Sequence, residues 1–141
     1  ANITSARSQT GDFTRAKGKE VMEGFLKAEN GGKDICAMYA HNDDMAVGAI
    51  QAIKDAGLKP GTDILVVSID AVPDIFAAMV AGEANATVEL TPNMAGPAFD
   101  ALDAFRKDGK APEKFIITES KLYTPADDPQ GEYDRRKGLG Y

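Results

Sequence analysis

The 141-residue sequence predicts an α/β domain built on a doubly wound parallel sheet. Apolar runs of strand length alternate along it with stretches of 3.6-residue periodicity, each pair separated by turn residues. The run Ile64-Leu-Val-Val67 is apolar at successive positions, so both of its faces ask for cover, as in a parallel sheet with helices on each side. A composition of 43% hydrophobic and 27% charged residues is that of a folded chain, and the length suits one domain.

Each element follows in order. A weak first strand ends near Gln9. Residues 14–27 are predicted helical, with Val21, Met22, Phe25 and Leu26 on one face, and stop at Asn30-Gly-Gly32, where a glycine supplies the left-handed cap. Residues 35–41 form the second strand, and the apolar neighbours of Cys36 predict a buried thiol there. Asn42-Asp43-Asp44 opens the next helix, because side-chain oxygens at that point take up the unpaired N–H groups of a first turn. Met45, Ala46, Ala49, Ile50 and Ile53 make its apolar stripe, and Gly57 and Pro60 end it. Residues 64–69 are the third strand, Pro73 sits at the first position of the helix that Gly82 closes, and residues 86–90 are the fourth strand. A helix covers about 93–107, tolerating Pro97 only in its first turn, and 115–118 form a fifth strand. The polar segment 125–141 predicts a short surface helix with Asp127-Asp128 early and Arg135-Arg136-Lys137 late, charges that suit its dipole and carry no chemistry. Gly24 and Gly48, inside helices at a cost of about 1 kcal/mol each, predict close packing on the sheet.

Charge and motifs narrow the function. With a net charge of −6 and no basic run, neither nucleic acid nor an anionic membrane is an expected partner, since both need a Lys/Arg patch. The longest buried-looking apolar run falls far short of the ~20 residues that span a bilayer, so no direct membrane insertion is expected. Residues 1–5 lack the basic segment and apolar run of a signal peptide, and a single cysteine forms no internal disulfide and locates no compartment. No Gly-x-Gly-x-x-Gly is present. The stretch from Gly11 to Gly18-Lys19-Glu20 has the wrong spacing for a phosphate loop and lacks its Ser/Thr. His41 is the one histidine, no Gly-x-Ser-x-Gly elbow accompanies it, and His41 with Cys36 falls short of a zinc ligand set. The sequence thus predicts no catalytic residue, metal or cofactor.

In such sheets the ligand lies outside the carboxyl ends of the strands. The residues there are Gly11-Asp-Phe13, His41-Asn-Asp-Asp44, Asp70, Thr91 and Ser120-Lys121. Phe13, Asn42 and Asp70 combine an aromatic ring, an amide and a carboxylate, which is what a neutral sugar asks for: an apolar face to cover and hydroxyls that both donate and accept. Leaving such groups unmatched when buried costs roughly 1 to 3 kcal/mol each, so a site of this kind discriminates between epimers. Each residue also has a structural alternative: Phe13 as core, Asn42 as helix cap, Asp70 as turn former.

Four stretches go further. Gly11-Asp-Phe-Thr-Arg-Ala-Lys-Gly18, Ala40-His-Asn-Asp-Asp-Met-Ala-Val-Gly48, Val67-Ser-Ile-Asp70 and Ala86-Thr-Val-Glu-Leu-Thr-Pro92 resemble, in the right order, the periplasmic sugar-binding proteins of ABC importers, ribose type. Glu20-Val-Met22, Asn93-Met-Ala-Gly-Pro-Ala-Phe-Asp-Ala-Leu102 and the ending Gly138-Leu-Gly-Tyr141 resemble their galactofuranose-binding branch. The resemblance implies capture of galactofuranose or a related aldose between two lobes, without chemistry, and delivery to a membrane permease from the periplasm. It places ring stacking on Phe13 and hydroxyl bonding on Asn42 and Asp70. The family's glutamine before the last proline is replaced by Leu90, so its polar duty passes to Glu89 or Thr91 or is dropped. The likeness covers the later half of such a protein. By it, residues 1–85 are second lobe, 86–110 a strand and helix crossing to an absent first lobe, and 111–141 a return strand and C-terminal tail. Phe99, Leu102 and Phe105 are then expected to be exposed and to favour association.

Two rival readings use the same edge. Asp43, Asp44 and Asp70, with Thr91 and Lys121 at later strand ends, would suit magnesium and a phosphoryl group as in response-regulator receivers. Against it, the acidic pair lies closer to Asp70 than in receivers and no proline follows Lys121. The effector-sensing domain of a ribose-type repressor shares the fold and similar stretches, but no helix-turn-helix segment is present in these residues.

Overall fold

A computed structural model describes residues 3–109 and 111–139. Helix α1 (Arg15–Ala28) begins where the Thr14 hydroxyl accepts the Lys17 N–H at 3.3 Å. It ends in a short turn through Gly31 and Gly32, both at positive φ. Strand β1 (Ala37–Tyr39), helix α2 (Asp43–Asp55), strand β2 (Leu65–Asp70), helix α3 (Pro73–Val80) and strand β3 (Ala86–Glu89) follow as an alternating series, with Pro73 opening α3 as its composition predicts. Helix α4 (Ala95–Asp108) carries Pro97 in its first turn, strand β4 is Leu122–Tyr123, and helix α5 (Pro129–Arg136) closes the described chain.

The strands lie in the order β1-β2-β3-β4, the first three parallel and β4 antiparallel to β3. The sheet is therefore mixed rather than wholly parallel. Met22 and Leu26 of α1, Ala46, Ala49, Ile50 and Ile53 of α2, and Ile75, Phe76 and Met79 of α3 bury against Val66 and Tyr123 to form the core. Burial divides the sheet by face. Val66, Ser68 and Thr87 are wholly buried, while their neighbours on the opposite face, Tyr39, Leu65 and Leu122, are about half exposed. The run predicted to need cover on both sides thus has it on one among the described residues, and β1 is an open edge.

Several expectations need correction. Residues 3–9 form no strand, and neither do 115–118; Phe115, Ile116 and Ile117 lie exposed, with β4 a few residues later. A strand exists only through its partner's hydrogen bonds, and neither stretch pairs with another among the described residues. Cys36 precedes β1 on the open edge and is exposed rather than buried. Gly48 answers to α1, not to the sheet: a methyl group there would overlap the Arg15 carbonyl oxygen and come within 2.9 Å of the Lys19 nitrogen. Gly24 is exposed with nothing within 4 Å, so no packing demands it. Arg136, on the segment read as polar surface, is 2% exposed.

Candidate functional site

The carboxyl ends of β1 and β2 carry the residues singled out by sequence. Asn42 is the N-cap of α2. Its Oδ1 accepts the Met45 N–H at 2.9 Å, and its Nδ2 donates to the Phe13 carbonyl at 3.2 Å. That second bond fastens the loop before α1 to the start of α2. The approach is close because Gly18 lies on the backbone of Met45, where any Cβ would collide. One Nδ2 hydrogen and a lone pair of Oδ1 stay uncommitted, a donor and an acceptor side by side. Asp12 and Phe13 both stand at positive φ, and the Phe13 ring is 65% exposed, so it is not core. Arg15, the first residue of α1, bridges Asp44 and Asp74 at 2.6 and 2.5 Å across the mouth of this edge.

Asp70 ends β2 in a bend: its φ is 121° and that of Ala71 is 66°, costly values for residues with a Cβ. Burial raises its carboxyl pKa, Asp44 adds to the rise, and the backbone N–H of Asp43 opposes it. Asp43, directly after the cap, is wholly buried. Its Oδ1 accepts the Ser68 and Thr87 hydroxyls at 2.5 and 2.8 Å, and its Oδ2 accepts the Val72 N–H at 2.8 Å. Burial pushes its pKa up to about 6 against those three bonds, with Asp70 pushing the same way. Asp43 thus welds the first turn of α2 to β2, β3 and the bend, and Phe13, Asn42 and Asp70 come together around that weld.

The two further candidates fare differently. Both carboxylate oxygens of Glu89 are engaged, Oε1 by Arg136 at 2.9 Å and Oε2 by the Tyr123 hydroxyl at 3.2 Å, so Glu89 belongs to a network reaching α5. The Thr91 hydroxyl accepts the Asn93 N–H at 3.2 Å and is half-buried near the edge. Sequence reasoning named Asp43 and Arg136 but missed that both are buried anchors. Ser68 and Thr87, polar residues inside strands, were the available signal, since buried hydroxyls demand a partner.

This arrangement offers a ring face, an amide and a carboxylate, while the Ser68 and Thr87 hydroxyls that bond Asp43 are wholly buried away from it. It does not suit magnesium and phosphate: Asp43 is spent on Ser68, Thr87 and Val72, Asp44 on Arg15, and Lys121 lies over the Tyr123 ring at 4.5 Å. No group of three acidic, His or Cys side chains able to hold a metal occurs among the described residues.

Fold and edge together define a lobe of a ligand-binding α/β protein. Residues 2–111 match the periplasmic binding protein domain, and the chain belongs to that family. It is 67% identical over 140 residues to the galactofuranose-binding protein YtfQ of Escherichia coli K12, covering 99% of this chain and 44% of that one. It is 40% identical over 117 residues to the ribose import binding protein RbsB of Bacillus subtilis, covering 82% and 36%. Among solved structures, a galactofuranose binding protein superposes with a TM-score of 0.93 at 67% identity, over 99% of this chain and 47% of that one. The binding protein of the arabinose ABC transporter from Shewanella sp. ANA-3, bound to α- and β-L-arabinofuranose, superposes at 0.88 with 59% identity, over 95% and 44%. The chain spans less than half the length of these relatives.

Proposed function

We propose that this chain supplies one side of the sugar site of a periplasmic solute-binding protein serving an ABC importer, and that the sugar is a furanose such as galactofuranose or arabinofuranose. The juxtaposition of Phe13, Asn42 and Asp70 at one sheet edge carries the reading. Phe13 covers the C–H face of the ring, the free donor and acceptor of Asn42 meet one hydroxyl, and Asp70 accepts from others, with Thr91 as a further polar contact. The relatives' names supply the furanose. No bond in the sugar is made or broken; the work is capture, followed in the two-lobe protein by closure on a hinge and docking on the permease in the periplasm.

In the same reading, residues up to about 85 are second lobe, 86–110 cross to a first lobe, and the remainder returns. Support comes from α4, which buries none of its residues, and from the open sheet face, both of which a longer protein would cover. One side of a site leaves the sugar's far face wet, well below the 70% or more of ligand surface buried in good pockets, so this chain alone binds weakly.

Amide NMR spectra recorded during titration with L-arabinose, galactose and ribose to tens of millimolar test the assignment, followed by Mg²⁺ with acetyl phosphate. Saturable shifts confined to the loops of Phe13, Asn42 and Asp70 are expected with an aldose that populates the furanose form. Shifts of Asp44 and Asp70 with Mg²⁺ alone, and none with sugars, would overturn it.

A further inference from the structure

The bend that presents Asp70 is held from a distance. Ala71 is 1% exposed at a positive φ that its Cβ resists, and such a conformation persists only where neighbours over-determine it. Three bonds do so. The Ala71 N–H donates to the Thr87 hydroxyl at 3.3 Å, the Val72 N–H to Asp43 at 2.8 Å, and the Ala71 carbonyl accepts from Nη1 of Arg136 at 3.2 Å. The first two donors are held by the adjoining strand and helix; the third comes from the last residue of α5, 65 residues away in sequence.

Arg136 is itself fixed from every side. Its Nη2 donates to Glu89 at 2.9 Å and to the Tyr123 hydroxyl at 3.0 Å, its Nε donates to Glu132 at 3.1 Å, and its guanidinium carbon lies 5.2 Å from the ring centroids of both Phe76 and Tyr123. A planar fork with five donors can serve a carbonyl, a hydroxyl and two carboxylates at once; an ammonium cannot.

We infer that Arg136 is a positioning residue for the sugar site, holding the Ala71 carbonyl so that the strained turn aims the Asp70 carboxylate at the strand edge. The C-terminal helix is thereby part of the binding apparatus although it touches no sugar. This rests on the reading of Asp70 as a sugar contact.

The chain with Arg136→Met, and separately with Arg136→Lys, tests it, the lysine variant guarding against loss of fold because it keeps a charge beside Glu89. Two readouts are taken in each. The first is the intraresidue HN–Hα cross-peak of Ala71, strong only at positive φ; the second is saturation by L-arabinose or galactose. Both variants are expected to lose the Ala71 signature while remaining folded, and to need about tenfold more sugar, what misalignment of one charge-assisted hydrogen bond costs. A lower melting temperature with the Ala71 signature and the saturation curve intact would make Arg136 merely structural and overturn the inference. If the unsubstituted chain gives no sugar response, the sugar reading fails; an unchanged Ala71 signature in either variant then overturns the positioning role as well, on its own observable.

Discussion

The Asp43 carboxylate accepts the Thr87 hydroxyl at 2.8 Å across 44 residues of sequence, joining the first turn of α2 to β3 inside the core. This carboxyl is wholly buried, and its folded pKa of about 6 lies above the ordinary 3.8. A carboxyl raised in this way contributes stability that is complete below the unfolded value and is lost as pH rises through the folded one. At 1.36 kcal/mol per unit, the contribution amounts to at most about 3 kcal/mol between pH 4 and pH 7. Comparison with Asp43→Asn isolates it, because the amide keeps the shape and does not titrate. In urea unfolding from pH 4 to pH 7, the stability of the unsubstituted chain relative to the variant is expected to fall with increasing pH. A constant difference would show that Asp43 is ionised throughout.

Two glycines in helix interiors give opposite expectations. At Gly48 a methyl group meets the backbone of α1, and the helices would have to separate, so Gly48→Ala is expected to cost about 1 to 3 kcal/mol. Gly24 is exposed with open space around it, and alanine there gains the helix propensity that glycine lacks, about 0.5 to 1 kcal/mol. Thermal unfolding of the two variants side by side decides: a neutral Gly48→Ala would contradict the packing of α1 on α2, and a destabilised Gly24→Ala would contradict the open space around that residue.

That contrast marks what can be read from sequence. Helix boundaries were legible because caps are local: Asn42 and Pro73 start α2 and α3 where their chemistry predicts. Strand β2 was legible because it begins in the four successive apolar residues Ile64-Leu-Val-Val67. Asn42 and Asp70 were legible as edge residues because fold class fixes where strands end; Phe13 follows no strand among the described residues and lies in the loop before α1. What escaped depends on residues far apart in the chain. Residues 115–118 look like a strand but have no partner, whereas Leu122–Tyr123 pair with β3 on two residues that carry no periodicity. Arg136 looks like a helix-end cation among its basic neighbours, and only the folded chain brings it to Ala71 and Glu89. Cys36 looks buried because its neighbours are apolar, yet it lies beside an open sheet edge.

The site residues separate stability from binding. Phe13 is mostly exposed and its ring supports no core, so Phe13→Ala is expected to change unfolding free energy by no more than about 0.5 kcal/mol while abolishing saturable sugar shifts. Asn42→Ala removes a helix cap worth about 1 kcal/mol and releases the Phe13 loop, so it should lower both stability and sugar response. Melting curves and the sugar titration on each variant check the pair. A Phe13→Ala chain that still saturates with sugar would remove the ring from the site.

Exposed apolar surface makes the oligomeric state a further expectation. Phe99, Leu102 and Phe105 of α4 stand in solvent, and Phe115, Ile116 and Ile117 line an open groove of about 520 Å³ against the same helix. Tyr39, Leu65 and Leu122 add the uncovered face of the sheet. Contiguous apolar patches beyond a few hundred Å² are rare on monomers because each Å² withdrawn from water is worth about 25 cal/mol. This chain by itself is therefore expected to associate as its concentration rises in sedimentation equilibrium. The groove and the sheet face can be told apart. Phe115→Asp, Ile116→Asp and Ile117→Asp together alter only exposed side chains of the groove, so the fold should survive them. If the groove drives association, the triple variant is monomeric at concentrations where the unsubstituted chain is not. If association persists unchanged, the open sheet face is responsible, and Leu65→Lys is the substitution that should remove it. A chain that stays monomeric at every concentration would show that this apolar surface is too dispersed to hold a second copy.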